Sequence, residues 1–186
     1  MASQPFPRLV SLACHDLRTP LATVYGFART LTKSGELDER SERFLGMIEE
    51  ASEQMTELLN MLGVAARIEG SRWEPTLRDA DTLELAASAD ARIAVTGDGE
   101  AIETEPDALK VALESLALAA ARYGPAERVT WEVRGRQLAL SPVLPDARAV
   151  VVGEAPRDLG SLVARMVIEE LGGSLTLEGE RLIVAL

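Results

Sequence analysis

The sequence contains one cysteine and one histidine, the neighbouring residues Cys14 and His15. A single cysteine excludes an internal disulfide, and the two residues are too few for a metal centre built from cysteine and histidine ligands. A hydrolase of the serine–histidine type would have to use the same histidine. Any histidine chemistry in this chain therefore depends on His15.

Long apolar segments and an excess of basic residues are also lacking. No apolar run approaches the length that spans a bilayer, and the N-terminal stretch MASQPFPRLVSLAC has neither the basic segment nor the apolar segment of a secretory signal. The chain has 19 Lys and Arg against 30 Asp and Glu, which argues against binding to nucleic acid or to an anionic membrane. We expect a soluble, cytoplasmic protein with no nucleic-acid partner and no membrane insertion.

Aromatic residues make up only 4% of the chain, whereas hydrophobic residues reach 47% and include many Ala and Leu. This composition supplies a buried core and favours helices. The length of 186 residues fits one large domain or two small ones. A change in sequence character near residue 70 predicts two domains, 1–70 and 71–186.

Apolar residues in alternating steps of four and three predict two long helices in the first domain. The first helix is expected from Pro5 to about Ser34, a break at Gly35 follows, Asp38 is a candidate N-cap, and Gly70 ends the second helix. The apolar positions of the first helix are Val10, Cys14, Leu17, Leu21, Val24, Ala28 and Leu31. Those of the second helix are Phe44, Ile48, Ala51, Met55, Leu58, Leu62 and Ala65.

Two long helices joined by a short loop form an antiparallel hairpin. A lone hairpin cannot cover its apolar stripe on both sides, whereas two hairpins paired in a four-helix bundle can. The sequence therefore predicts a homodimer.

The second domain alternates strand and helix patterns. Helices and strands mixed in this way predict one layer of each in an α/β sandwich, so the fold class of the whole chain is α+β. The predicted helices cover 79–89, 104–124 with Thr104 as cap, and 157–173. The predicted strands cover 73–77, two segments of 92–104 joined around Gly97 to Gly99, 147–153, and two hairpins, 129–142 and 174–186, turning at residues 134–136 and 178–180.

The helix that carries His15 gives this histidine a polar surrounding. Cys14 lies on the apolar stripe, so His15 points about 100° away from it, towards solvent. Asp16 adjoins the imidazole, and Thr19 follows four residues on along the same face. A neutral imidazole beside a carboxylate suits nucleophilic chemistry, although an exposed histidine next to ordinary charged residues would have the same spacing.

A proline in the middle of this helix favours the functional interpretation. Pro20 has no N–H, so the carbonyl of Asp16 loses its helical partner and a kink is expected there. Such a proline costs about 3 kcal/mol in a helix interior and usually has a reason.

The segment HDLRTPL resembles the H-box of the dimeric histidine kinases of two-component signalling. The resemblance covers seven consecutive residues on the first of two helices. It implies that His15 accepts the phosphoryl group and that Asp16 assists its transfer. It also implies that Asp16 and Thr19 together could position water to dephosphorylate a response regulator.

The second domain resembles the ATP-binding domain of the same family. DLGSLVARMVIEELGG is similar to the second glycine box and the helix after it, with Gly160, Gly172 and Gly173 in matching positions. VALESLALAAARYG is similar to the N-box helix, where Arg122 and Tyr123 match.

Residues that this family uses for nucleotide binding are nevertheless missing. Ser115 and Ala119 replace the two asparagines of the N-box, and an alanine methyl cannot ligate Mg²⁺. GEAPRD stands in place of the first glycine box, and about six residues leave no room for an ATP lid. We therefore expect no bound cofactor, although Glu154 or Asp158 remains an alternative cation ligand.

A phosphorylatable histidine without an ATP site must receive its phosphoryl group from outside. The resemblance implies a histidine phosphotransferase that relays phosphate between response-regulator receiver domains, with Mg²⁺ supplied by the receiver. Arg18 would offset phosphoryl charge. The residues expected to contact the receiver form a ridge at four-residue steps, His15, Thr19, Thr23 and Phe27, with Tyr25 nearby. Packing within the bundle would explain the same ridge equally well.

Three other functions remain open at this point. Asp16 and Thr19 could make the protein a response-regulator phosphatase. The chain could also be an ATP-dependent kinase core with a divergent nucleotide site. Finally, it could be a scaffold that binds receivers without catalysis, although such a binder has no need of a complete H-box.

Overall fold

A computed structural model describes residues 5–34, 37–155 and 157–186. The chain divides into two compact units, the first ending at Arg72 and the second beginning at Trp73. The predicted break at Gly35 lies outside the described residues. Within the described ranges, no helix has both the length and the apolar character needed to cross a bilayer.

The first unit contains two long helices, α1 (Pro5–Ser34) and α2 (Glu39–Glu69), which pack against each other. Both predicted helices are confirmed. Asp38 is the N-cap of α2, and its carboxylate accepts a hydrogen bond from the backbone N–H of Ser41 at 2.7 Å. That bond lowers the pKa of Asp38. Gly70 follows α2 as its C-cap, also as predicted.

Only part of the predicted apolar stripe of α1 is buried in the hairpin. Cys14, Leu21 and Ala28, which are seven residues apart, are at most 9% exposed. A second row lies three residues beyond each of these positions, and its members Leu17, Val24 and Leu31 are 54%, 48% and 48% exposed. Helix α1 therefore has one apolar row in the hairpin and another on its outer flank.

The predicted apolar stripe of α2 lies outside the hairpin. The buried residues of this helix are the small residues Ser52, Gly63 and Ala66. The large apolar residues of the predicted stripe are exposed, and so is Met47, which lies outside the predicted stripe. The exposed fractions are 38–60% for Phe44, Met47, Ile48, Met55, Leu58 and Leu62. The periodicity identified the more apolar face of α2, but the face that contacts α1 is the one with small side chains.

In the part of the second unit that the structure describes, there are a two-stranded sheet, a five-stranded sheet and four helices. The helices are α3 (Thr82–Ala86), α4 (Pro106–Tyr123), α5 (Pro145–Val151) and α6 (Leu159–Glu170). The strands are β1 (Arg78–Asp81), β2 (Ile93–Gly99), β3 (Ala101–Thr104), β4 (Val129–Gly135), β5 (Gln137–Ser141), β6 (Ser174–Glu178) and β7 (Arg181–Ala185).

The five-stranded sheet has the order β2-β4-β5-β7-β6, with β2 parallel to β4 and the other pairs antiparallel. Its register places Trp131 beside Leu140 and Leu140 beside Leu182, all of them fully buried. Leu113 and Leu116 of α4 are also fully buried. The core therefore lies between one face of the sheet and the helices, and the predicted hairpins around residues 134–136 and 178–180 are confirmed.

The start of the second unit differs from the prediction in its boundaries. The strand expected at 73–77 lies instead at Arg78–Asp81, where it pairs with β3. The helix expected over 79–89 is limited to Thr82–Ala86, because Asp81 ends the strand and caps the helix through the N–H of Leu83. Glu105, rather than Thr104, is the N-cap of α4, and Thr104 belongs to β3.

The prediction of a buried strand at 147–153 is wrong, because most of this segment belongs to the helix α5. Its buried residues Ala147, Val150 and Val151 follow helical spacing. Pro145 at the start of the helix presets the first turn. A short apolar run carries the same signal in a buried strand and in a buried helix, so the sequence alone did not separate them.

Candidate functional site

His15 and Asp16 lie together on the exposed side of α1, with side chains 76% and 68% exposed. The imidazole Nδ1 is 3.2 Å from Asp16 Oδ1. The tautomer with its proton on Nδ1 donates to this carboxylate and leaves the lone pair of Nε2 available as a nucleophile. The pair thus has the geometry of an oriented histidine nucleophile.

Thr19 and Pro20 follow on the same exposed stretch of α1. The Thr19 carbonyl accepts a hydrogen bond from the Thr23 hydroxyl at 3.1 Å, which ties Thr23 to its own helix. Helix α1 continues on both sides of Pro20, and the kink at Pro20 stays a prediction. An exposed hydroxyl at Thr19 stands one turn beyond His15.

Arg18 is directed towards the second helix of the hairpin. Its Nη2 donates to Asn60 Oδ1 at 2.9 Å. The sequence interpretation did not single out Asn60, because this contact joins residues 42 positions apart and depends on how α1 and α2 align. The only sequence signal was an amide in the interior of a long helix, a position that such residues disfavour.

Tyr25 is also part of a polar contact between the helices. Its hydroxyl donates to Glu53 Oε1 at 3.0 Å and accepts from Arg29 Nη1 at 2.9 Å. The guanidinium of Arg29 lies 5.7 Å from the centre of the tyrosine ring. Glu53 and Arg29 are further residues that the sequence interpretation missed.

Phe27 is 69% exposed, but it does not share a face with His15. Twelve residues separate the two along α1, which corresponds to a rotation of roughly 120° around the helix axis. The predicted ridge from His15 to Phe27 therefore winds around the helix. The structure groups His15 with Asp16, and Tyr25 with α2, while Phe27 stands apart.

In the second unit, α4 carries the two positions where the resemblance places asparagines, and this helix packs directly against α6. The metal-binding asparagine corresponds to position 119. Ala119 occupies that position and is 2% exposed. At the other N-box position, Ser115 lies so close to Gly160 that a Cβ on this glycine would be 3.1 Å from the serine Oγ. Among the described residues, neither of these two positions offers an amide oxygen to a metal ion, and the Ser115 hydroxyl lies against Gly160.

The connection between α5 and α6 is attached to the end of α4. The Asp158 carboxylate accepts from the backbone N–H of Ser161 at 2.8 Å and lies 3.5 Å from Arg122 Nη1. The Tyr123 hydroxyl donates to the carbonyl of Arg157 at 2.8 Å. Asp158 is thus engaged as a helix cap and in an ion pair.

The residues present do not fit a bound MgATP. The connection from α5 to α6 spans only residues 152–158, which is too short for a lid over phosphates. Across the described ranges, no group of three or more His, Cys, Asp or Glu side chains could hold a metal ion. Glu154 is exposed, and no described acidic neighbour makes it part of such a group.

The two N-terminal helices match a known protein family. Residues 8–71 match the family model described as the His Kinase A (phospho-acceptor) domain. The matched range contains the whole HDLRTPL segment and all of α2. No curated protein sequence matches the chain.

Solved structures with the same fold include two histidine kinases. Full-length ShkA, determined in complex with AMPPNP, is 21% identical with a TM-score of 0.68, and the match covers 96% of this chain and 44% of ShkA. The histidine kinase AdeS of Acinetobacter baumannii is 18% identical with a TM-score of 0.52, covering 91% and 94% of the two chains. This chain therefore spans less than half of ShkA, and both matches show the fold of a helical hairpin followed by an ATPase-like domain.

A third similar structure is a bacterial phosphotransferase. It is 15% identical, and the match covers 99% of this chain and 97% of that one. Its TM-score of 0.43 is too low to support an inference about function.

Proposed function

We propose that this chain is a dimeric histidine phosphotransferase of the two-component histidine kinase superfamily and that it works without ATP. His15 receives a phosphoryl group from the phospho-aspartate of one response-regulator receiver domain and passes it to the aspartate of another. The observation that carries this proposal is the combination of an accessible His15–Asp16 pair with Ala119 buried where a metal ligand is required.

The transfer step uses the lone pair of His15 Nε2. This nitrogen attacks phosphorus, a P–N bond forms, and the P–O bond to the donor breaks with its electron pair leaving on the donor's carboxylate. The proton on Nδ1 stays on the ring, and Asp16 at 3.2 Å stabilises the resulting positive charge. The reverse attack, by a carboxylate of the second receiver, regenerates the neutral imidazole.

The receiver contributes the rest of the site in this proposal. Phosphoryl transfer depends mainly on positioning and charge, and we assign the Mg²⁺ to the receiver. Thr23 and Tyr25 lie beyond His15 on α1, where a docked receiver would contact the hairpin. Phe27 lies further round the helix and would reach the receiver only at the edge of that surface.

The proposal includes a homodimer in the cytoplasm. The outer rows of α1 and α2 leave large apolar side chains exposed at intervals of seven residues. A second hairpin would cover both rows in a four-helix bundle. The single cysteine is compatible with a reducing compartment.

We expect the full chain to bind no MgATP in a calorimetric titration. His15 should also gain no label from γ-labelled ATP, whereas incubation with a phosphorylated receiver should give acid-labile phosphate on His15. The physical reason is that the buried methyl group of Ala119 cannot ligate a metal ion. Label from ATP that disappears in His15→Gln would contradict the proposal and support a kinase.

Phosphatase activity is the second candidate, because the hydroxyl of Thr19 is exposed one turn from His15. If the chain drains phosphate from a regulator, Thr19→Ala should slow dephosphorylation of the receiver about tenfold by removing a group that positions water. The rate at which His15 accepts phosphate should change by less than about twofold. A Thr19→Ser variant is the matched control, since it keeps the hydroxyl; equal rates in all three proteins would count against a phosphatase role.

A further inference from the structure

Polar contacts join α1 to α2 at regular intervals along the hairpin. The donors Arg18, Tyr25 and Thr32 are seven residues apart on α1. Their acceptors on α2 are Asn60, Glu53 and Glu49, at distances of 2.9, 3.0 and 2.9 Å. Residues seven apart lie on the same side of a helix, so the three contacts run along one side of the groove between α1 and α2.

The contact nearest to His15 differs chemically from the other two. Tyr25 and Thr32, which carry no charge, donate to carboxylates. Arg18, which is always charged, donates to a neutral amide. Over the described ranges, no carboxylate oxygen lies within 4.0 Å of the Arg18 guanidinium.

The position of Arg18 explains why a neutral partner matters. Arg18 is three residues beyond His15, which places it roughly 60° round the helix and about 4.5 Å further along the axis. Its guanidinium has five N–H donors, and Asn60 accepts from one of them. An amide can therefore hold the side chain in place without neutralising its charge or taking up its bidentate edge.

We propose that Asn60 is a positioning residue that holds Arg18, with its charge uncompensated, for the phosphoryl group on His15. This inference rests on the proposed function and adds a residue of α2 to the site. A carboxylate at position 60 would hold Arg18 at least as firmly, but it would compete with the phosphoryl oxygens for the guanidinium.

The substitution Asn60→Asp separates this role from a structural one. It keeps an acceptor oxygen at the same place and adds one negative charge. If Asn60 only joined the two helices, the stronger Arg18–Asp pair would leave phosphorylation unchanged and the melting temperature equal or higher. If Asn60 leaves the charge of Arg18 uncompensated for the phosphoryl group, Asn60→Asp is phosphorylated more slowly while its melting temperature is maintained.

The test uses the full chain and phosphoramidate, a small phosphoryl donor that requires no receiver. Phosphate on His15 is followed by intact mass at neutral pH, and the half-life of the phosphohistidine is measured after the donor is removed. We expect Asn60→Asp to be phosphorylated about fivefold more slowly, the effect of a contact of modest strength at an exposed site. Asn60→Ala, which frees Arg18, should show a smaller loss.

Gln54→Glu is the matched control, because it adds the same charge to an exposed position of α2 about 9 Å along the helix from Asn60. Its phosphorylation rate should equal that of the unmodified chain. Equal rates for Asn60→Asp and the unmodified chain would overturn the role of Asn60 while leaving His15 as the phosphoacceptor. Absence of phosphate on His15 in the unmodified chain would overturn both this inference and the proposed function.

Discussion

His15→Gln should reduce relay between receivers to background, a loss of at least about a thousandfold. Glutamine keeps a polar side chain on α1, but its amide nitrogen has no available lone pair with which to attack phosphorus. His15 is the only histidine in the chain, so no neighbour can take over the reaction. The measurement follows radiolabel from a phosphorylated donor receiver to a second receiver in the absence of ATP.

The fold provides the control for this experiment. The His15 side chain is 76% exposed, and among the described residues its polar contact is with the adjacent Asp16. We therefore expect His15→Gln to change the melting temperature by less than about one degree, since surface substitutions away from special features have small effects. Relay that continues at the unmodified rate in a folded His15→Gln protein would show that the phosphoacceptor lies elsewhere.

Val24→Glu should dissociate the proposed homodimer. Val24 is 48% exposed in the hairpin and lies in the middle of the outer row formed with Leu17 and Leu31. In a twofold dimer each protomer contributes the same row, so one substitution buries two unpaired carboxylates. Each such charge costs about 3–5 kcal/mol, and the dissociation constant should rise by at least about a thousandfold.

Sedimentation equilibrium at micromolar concentration measures this change directly. Thr30→Glu is the matched control, because it adds the same charge to an exposed position on the solvent side of α1, where Thr30 now donates only to the carbonyl of Gly26. This control should remain dimeric. A monomeric unmodified chain, or a dimeric Val24→Glu protein, would contradict the assignment of the outer row to a dimer interface.

The helical hairpin could be predicted closely from the sequence, because several independent signals agreed. The spacing of apolar residues, Asp38 before α2 and Gly70 after it all indicated the same two helices. The face of α2 that contacts α1 could not be predicted in the same way. Small residues such as Gly63 and Ala66 carry little hydrophobic signal, while the more apolar outer stripe dominates the pattern.

The second domain shows where local signals become insufficient. The run AVVV is compatible with a strand and with a helix, and the tertiary environment of α5 decides between them. By contrast, the hairpins at 134–136 and 178–180 have glycine within the turn, and Gly135 and Gly179 both adopt a φ of 60°. Glycine at these positions was therefore a reliable signal.

In the candidate site, too, local contacts could be predicted and long-range contacts could not. His15 and Asp16 are adjacent in the chain, so their contact needs only a helix to form. Asn60 reaches Arg18 only after α1 and α2 have aligned, and a shift of one helical turn would remove the contact. Interactions within one turn could be predicted from the sequence, whereas those between helices required the structure.

The contact between Gly160 and Ser115 has a consequence for how this fold can change. A larger side chain at position 115 would collide with α6, and an amide at position 119 would be buried without a partner. Each of these substitutions would destabilise the domain. The close packing of α4 on α6 therefore limits the side chains that these positions can accept, and larger polar groups would enter only with compensating changes elsewhere in the domain.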